Sequence, residues 1–172
     1  MKTLLLLRHG KSSWSDASLA DHDRPLKKRG VEAAKRMGQL LTELNLVPDH
    51  ILTSSAVRAT ATVQLVVEAT KYAGEVEVEP ELYSAERISF LAIVSQTSNR
   101  VGRVLVVSHN PGMEEWLAHL IGHFETFPTA ALARIELPIE EWLNLSHDTH
   151  GTLHGLWRPK ELPLKGNSLG EN

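Results

Sequence analysis

Hydrophobic residues along this chain follow two patterns, and their alternation predicts the fold class. Short, nearly unbroken apolar runs occur at residues 2–7 (KTLLLL) and 103–109 (RVLVVSH). They are too brief for a helix and predict strands buried on both faces. Between them, residues 26–46 place Val31, Ala34, Met37, Leu41 and Leu44 at helical spacing, which predicts an amphipathic helix. A strand at 50–55 follows, then a helix from 56 that ends on Gly74. The alternating EVEVE at 75–79 predicts a strand, with Glu75, Glu77, Glu79 and Glu81 forming the exposed face of a sheet edge. Helices at 87–98 and 112–122 and strands at 131–138 and 152–159 complete the pattern. The polar stretch 163–172 is expected to be a flexible tail.

Strands that alternate with helices predict an α/β domain: a three-layer sandwich with a mostly parallel central sheet flanked by helices. With no internal repeat and no linker, residues 1–162 read as a single domain, and 172 residues suffice for one full core. A hydrophobic content of 42% with 23% charged residues is ordinary for a globular protein and argues against wholesale disorder. The net charge of -3 gives no electrostatic reason to expect nucleic acid, and Lys27-Lys28-Arg29 reads as the solvated start of a helix. Absence of cysteine excludes disulfides, thiol nucleophiles and thiolate metal sites, and fits a reducing cytoplasm. The N-terminal apolar run, Thr3 to Leu7, is too short for a signal peptide or a membrane span. A soluble, cytoplasmic protein with no membrane partner is therefore the expectation. Oligomeric state has no signature in the sequence.

Polar residues of one kind collect where strands end. Arg8-His9-Gly10 closes the first run, Ser54-Ser55 and Arg58 follow the second strand, and Ser108-His109-Asn110 follows RVLVV. In open α/β sheets ligands bind beyond the carboxyl ends of the strands, so these distant residues can converge on one pocket. Two guanidinium forks beside helix N-termini suit a phosphate dianion. No Gly-x-x-x-x-Gly-Lys-Ser/Thr loop is present, so the site is not a P-loop. An imidazole kept neutral by neighbouring cations can attack phosphorus, and a second imidazole can share the charge that spreads over the phosphoryl oxygens.

LLLLRHGKSSW (4–14) resembles the Arg-His-Gly motif of the histidine phosphatase superfamily, whose histidine is phosphorylated during turnover. ILTSSAVRATATVQLV resembles the segment that carries the second arginine, and VLVVSHNPGMEEWL the segment that carries the second histidine. HDRPLKKRG (22–30), TAALARIEL (129–137) and the short chain are most similar to the small SixA-type phosphohistidine phosphatases. The resemblance implies a phosphoglycerate-mutase-like fold, His9 as nucleophile, Arg8, Arg58 and His109 as phosphoryl ligands, and neither metal nor organic cofactor. It also suggests Asn110, Ser12 and Ser15 as substrate contacts, although for each serine taken alone a loop cap is the first reading. Arg24 reads either as a substrate contact or as the partner of Asp21 or Asp23 in a turn.

Relatives that cleave phosphate monoesters carry a glutamate after the middle strand, as acid for the leaving oxygen. Here EPELYSAER puts Ser84 at that place, flanked by Glu81 and Glu86. An alkoxide needs a proton to leave, whereas a protonated imidazole leaves a phosphoramidate readily. The absent acid and the short stretches between motifs thus favour a phosphorylated protein, carrying phosphohistidine, as substrate. Two rivals stay open: a phosphomonoesterase of small metabolites with Glu81 or Glu86 as acid, and a non-catalytic phosphate-binding module. His147, His150 and His154 lack the spacing and companions of a metal site. Trp116 and Trp142 are expected in the core or at an interface.

Overall fold

The predicted alternation is realised element by element in a computed structural model, which describes residues 1–162. In chain order the elements are β1 (Lys2–Arg8), α1 (Lys28–Glu43), β2 (His50–Thr53), α2 (Val57–Thr70) and β3 (Val76–Val78). Then come α3 (Arg87–Val94), β4 (Arg103–Ser108), α4 (Gly112–Ile121), β5 (Leu132–Leu137) and β6 (Thr152–Trp157). Two helices stop earlier than their patterns implied. α2 ends where Lys71 turns left-handed (φ 56°), and α3 ends where Gln96, Thr97 and Ser98 replace the apolar residues that bind it to the core. The expected flexible tail, 163–172, lies outside the described residues.

The sheet has six strands in the order β3-β2-β4-β1-β5-β6. β3, β2, β4 and β1 pair in parallel, whereas β5 runs antiparallel to β1 and β6 antiparallel to β5. The reversal has a local cause. The loop before β5 returns the chain to the carboxyl end of β1, where the Ala130 N–H donates to the carbonyls of Arg8 and His9 at 3.0 and 2.9 Å. A strand that begins where β1 ends can only run back along it.

The unbroken LLLL of β1 follows from burial on both faces. Leu4 and Leu6 face Phe90, Trp116 and Leu117 on the α3–α4 side, while Leu5 and Leu7 face Met37, Leu41 and Val63 on the α1–α2 side. All four leucines are fully buried, each stabilising the fold by about 1.5–3 kcal/mol. Trp116 and Trp142 both belong to the core, Trp116 stacked on Phe90 with ring centroids 4.9 Å apart. Among the described residues no helix is long and apolar enough to cross a membrane.

One contact fixes the loop after β1. Gly10 and Gly30 meet back to back, so that a Cβ on Gly10 would lie 2.6 Å from the Gly30 carbonyl oxygen and one on Gly30 would overlap the Lys11 carbonyl. Glycine within an α-helix costs about 1 kcal/mol relative to alanine; at Gly30 it lets α1 press against the loop that carries His9. Gly30→Ala should lower the unfolding free energy by about 1–3 kcal/mol through overpacking, measured by urea denaturation.

Candidate active site

The strand ends bring the predicted residues together. His9 and His109 lie side by side, ring centroids 4.9 Å apart, at the carboxyl ends of the paired strands β1 and β4. Both are buried, as are Arg58 and Arg24, and Arg8 is half-buried. Arg58 enters from the first turn of α2, which begins just beyond β2.

Hydrogen bonds set the protonation of His9. Its Nδ1 lies 2.7 Å from the Gly10 carbonyl oxygen. A carbonyl only accepts, so Nδ1 carries the proton and Nε2 presents a lone pair. The pKa of His9 is lowered to about 4, chiefly because burial penalises the imidazolium and secondarily because Arg58, Arg8 and Arg24 repel it. The sequence pointed to the cations; burial is the larger cause. His109 falls further, to about 3, through burial and then the neighbouring charges of His9 and Arg58. Its Nε2 shares a 2.7 Å hydrogen bond with the Ser54 hydroxyl, whose oxygen also accepts from the Ala56 N–H at 3.2 Å.

Buried nitrogens without a partner mark this cluster: Arg8 Nε, Arg58 Nε and His109 Nδ1. Buried polar groups are nearly always paired, so three on adjacent functional side chains fit a site that receives an acceptor-rich, anionic group. The other Arg8 contact, from Nη1 to the Phe127 carbonyl at 3.2 Å, aims the guanidinium rather than neutralising it.

Asp21 organises the opposite wall. It sits in a single 3-10 turn, Asp21–Asp23, too short to leave a periodic trace in the sequence. Its carboxylate accepts from Arg58 Nη2 at 3.0 Å and from Arg24 Nε at 3.1 Å, and its own carbonyl accepts from Arg58 Nη1 at 2.7 Å. The Tyr83 hydroxyl donates to it as well. That bond first, and the two arginines next, hold the Asp21 carboxyl down at about 2. Of the partners expected for Arg24 in the turn, Asp21 makes the ion pair, and Asp23 lies against His22 instead. Arg24 also donates to the Ser12 hydroxyl at 2.8 Å and stacks on Trp14 at 3.4 Å. Ser12 is therefore buried beneath Arg24, whereas Ser15 is exposed and bonded to the Ser13 hydroxyl. The Asn110 amide nitrogen donates to the Phe127 carbonyl at 2.8 Å and so ties down the loop that Arg8 also grips; its buried Oδ1 has no partner.

The two candidate acids lie in the segment between β3 and α3. Glu86 is the N-cap residue of α3, and Glu81 lies with Glu77 and Glu79 in a depression against α3. Among the described residues neither makes a hydrogen bond to the imidazoles. The side chain this loop does turn towards the pair is Tyr83, whose ring meets His109 edge-on at 5.5 Å. Tyr83 and Thr62 are the participants that sequence reasoning missed, and it gave Ser54 and Asp21 no part beyond a place at a strand end and a turn contact with Arg24. Only Thr62 had a usable signal, being one helical turn from Arg58: it accepts from the Gly10 N–H at 3.0 Å and donates to the Arg58 carbonyl at 2.7 Å. The C-terminal histidines form no metal centre. His119 joins His147 and His150, but Arg87 donates to its Nδ1 and its Nε2 donates to the His147 carbonyl. Among the described residues no group of three histidines or carboxylates could hold a metal ion.

Two outcomes follow from these electrostatics. Histidines with lowered pKa bind fewer protons folded than unfolded, so their share of stability is complete above the ordinary value of 6.5 and is lost as pH falls towards 4. Heteronuclear NMR should accordingly show His9 and His109 in neutral form from about pH 8 to about pH 5, His9 with Nε2 unprotonated. Asp21→Asn leaves two buried guanidinium groups without a counter-charge and should cost about 1–3 kcal/mol in urea unfolding, discounted because the carboxylate is half exposed.

Comparison with known proteins agrees with this geometry. Residues 4–87 match the model of the histidine phosphatase superfamily, branch 1. The chain is 33% identical over 171 residues to a chloroplastic, uncharacterized Arabidopsis thaliana protein, across 92% of this chain and 78% of that one. It is 44% identical over 68 residues to the 2,3-bisphosphoglycerate-dependent phosphoglycerate mutase of Leifsonia xyli subsp. xyli, a stretch that is 38% of this chain and 27% of the mutase. Among solved structures, an Agrobacterium tumefaciens SixA, provisionally named a phosphohistidine phosphatase, superposes with a TM-score of 0.79 at 27% identity, covering 92% of this chain and 98% of that one. The protein histidine phosphatase SixA complexed with tungstate gives 0.78 at 26%, covering 92% and 97%. Likeness along nearly the whole chain and a common three-layer architecture lead to one assignment: the chain belongs to the histidine phosphatase superfamily.

Proposed function

We propose that this protein is a phosphatase that hydrolyses phosphohistidine on a protein, with His9 as the group that takes up the phosphoryl. The observation that carries the reading is the state of His9: neutral, proton fixed on Nδ1 by the Gly10 carbonyl, and Nε2 free beside Arg8, Arg58 and His109. The phosphoryl oxygens dock on the guanidinium groups and His109. The His9 Nε2 lone pair then forms a bond to phosphorus, in line, as the P–N bond of the substrate breaks. The departing imidazole nitrogen takes a proton from water, and the electron pair of the broken bond stays with it. Water attacks the phosphorylated His9, releasing phosphate and restoring the neutral ring.

The environment of the leaving group supports a P–N substrate. Asp21, the carboxyl group whose charge reaches His109, is held ionised and has no proton to give, and Tyr83, which its loop turns towards the site, already donates to Asp21, which raises its pKa. An alkoxide would find no ready acid in Asp21 or Tyr83, whereas an imidazole, with an ordinary pKa near neutrality, takes its proton from water. The likeness to the two SixA structures supports the same reading.

His9→Ala should abolish turnover and leave the circular dichroism spectrum and urea midpoint close to those of the parent. Brief exposure to labelled substrate and a quench without acid should leave acid-labile, base-stable label on His9. Side-by-side hydrolysis of a phosphohistidine peptide and a panel of sugar phosphates should favour the peptide in kcat/KM; a strong preference for the esters would overturn the substrate assignment.

A further inference from the structure

A groove of about 750 Å³ runs between α1 and the turn after β6, and it shares no residue with the imidazole pair. Six cations line it, Lys11, Arg29, Lys35, Arg36, Arg158 and Lys160, against two carboxylates, Glu32 and Glu161. Glu43 neutralises Arg36, and Glu125 with Glu161 neutralises Arg158. Lys11, Arg29, Lys35 and Lys160 are exposed and make no ion pair among the described residues. Ala33, Pro128, Pro159 and Leu162 supply apolar surface between them.

Helix stability does not account for this charge. The first turn of α1 holds no acidic residue and begins Lys28-Arg29, so cations sit at the positive end of the helix dipole, where they are unfavourable. Nor do the cations converge on a point, as a small anion would require. Arg29 and Arg36 are separated by about 10 Å along the helix. The groove is also continuous with the reactive loop. Lys11 follows Gly10, and Pro128 and Thr129 lie between Phe127, whose carbonyl holds Arg8, and Ala130, whose N–H bonds the His9 carbonyl.

We propose that this groove docks an acidic, amphipathic helix of the protein whose phosphohistidine enters the site, its carboxylates on the basic rim and its apolar face on the proline-lined surface. The proposal rests on the phosphohistidine reading above and adds the chemistry by which the partner is recognised. The negative charge of the chain as a whole argues against nucleic acid as the occupant.

The test uses the full chain, the double variant Lys35→Glu/Lys160→Glu, and two labelled helical peptides, one rich in glutamate and one with glutamine at each of those positions. In fluorescence anisotropy the parent should bind the glutamate peptide about tenfold more tightly than the glutamine peptide, a margin erased by the double variant and by high salt. With a phosphohistidine in the glutamate peptide, the variant should lose about tenfold in kcat/KM through KM, while hydrolysis of phosphoramidate is unchanged. Equal binding of the two peptides, unchanged binding by the variant, or displacement of the glutamate peptide by an equally charged oligonucleotide would each overturn the proposal. So would sedimentation showing a dimer that the variant dissolves, because the groove would then serve a second copy of this chain. If phosphohistidine is not hydrolysed yet the peptides are still discriminated, the substrate assignment fails and the acidic docking surface stands.

Discussion

The arrangement depends on excluding water from two imidazoles that have guanidinium groups for neighbours. Burial does more than the adjacent charges to keep His9 and His109 unprotonated, so basicity is set by packing, and packing by the sheet. Each ring stands at the end of a strand whose apolar run is fully buried, and β1 and β4 are adjacent and in register through Arg8 and Ser108. Neighbouring parallel strands that end level place their next residues together. The Gly10–Gly30 contact closes the space behind His9, and the returning loop at Ala130 closes it from the β5 side.

Much of this could be read from the sequence because it is written in patterns of length and period. Strands short enough to be buried on both faces and helices with one apolar stripe each leave a one-dimensional trace, and all ten of these elements were expected. The polar residues at strand ends were legible for the same reason, since a hydrophobic run that stops on Arg-His or Ser-His identifies its own end. Tyr83 left no such trace, and Asp21 could be read only as a turn partner of Arg24. Their importance arises from turns three residues long and from contacts across the crevice, such as that between Asp21 and Arg58, 37 positions apart in the chain. Arg24 could be read two ways because either reading needs the same residue at the same place. The antiparallel direction of β5 was hidden likewise, being fixed by hydrogen bonds at Ala130 rather than by any periodicity in β5 itself.

Asp21 gives the cluster its balance. Two arginines facing one cleft repel each other, and a single carboxylate held in its ionised form by both of them and by Tyr83 relieves that repulsion. The same carboxylate raises the affinity of His109 for a proton, against the larger effects of burial and of the cations. The wall opposite the imidazoles is thus partly compensated and keeps a net positive charge, whereas Arg8 on the near side is oriented by a backbone carbonyl and feels the more distant carboxylate of Glu114.

The hydroxyl of Thr62 joins two segments that are far apart in the chain, accepting from the backbone of Gly10 and donating to the backbone of Arg58. Consecutive residues of an α-helix are rotated by about 100°. An inserted or deleted residue between β2 and Arg58 would therefore swing Arg58 and Thr62 off this face at the same stroke. The spacing of that connection is consequently far less tolerant of length change than a surface loop, because it sets the distance from base to cation as a machinist's gauge block sets a gap.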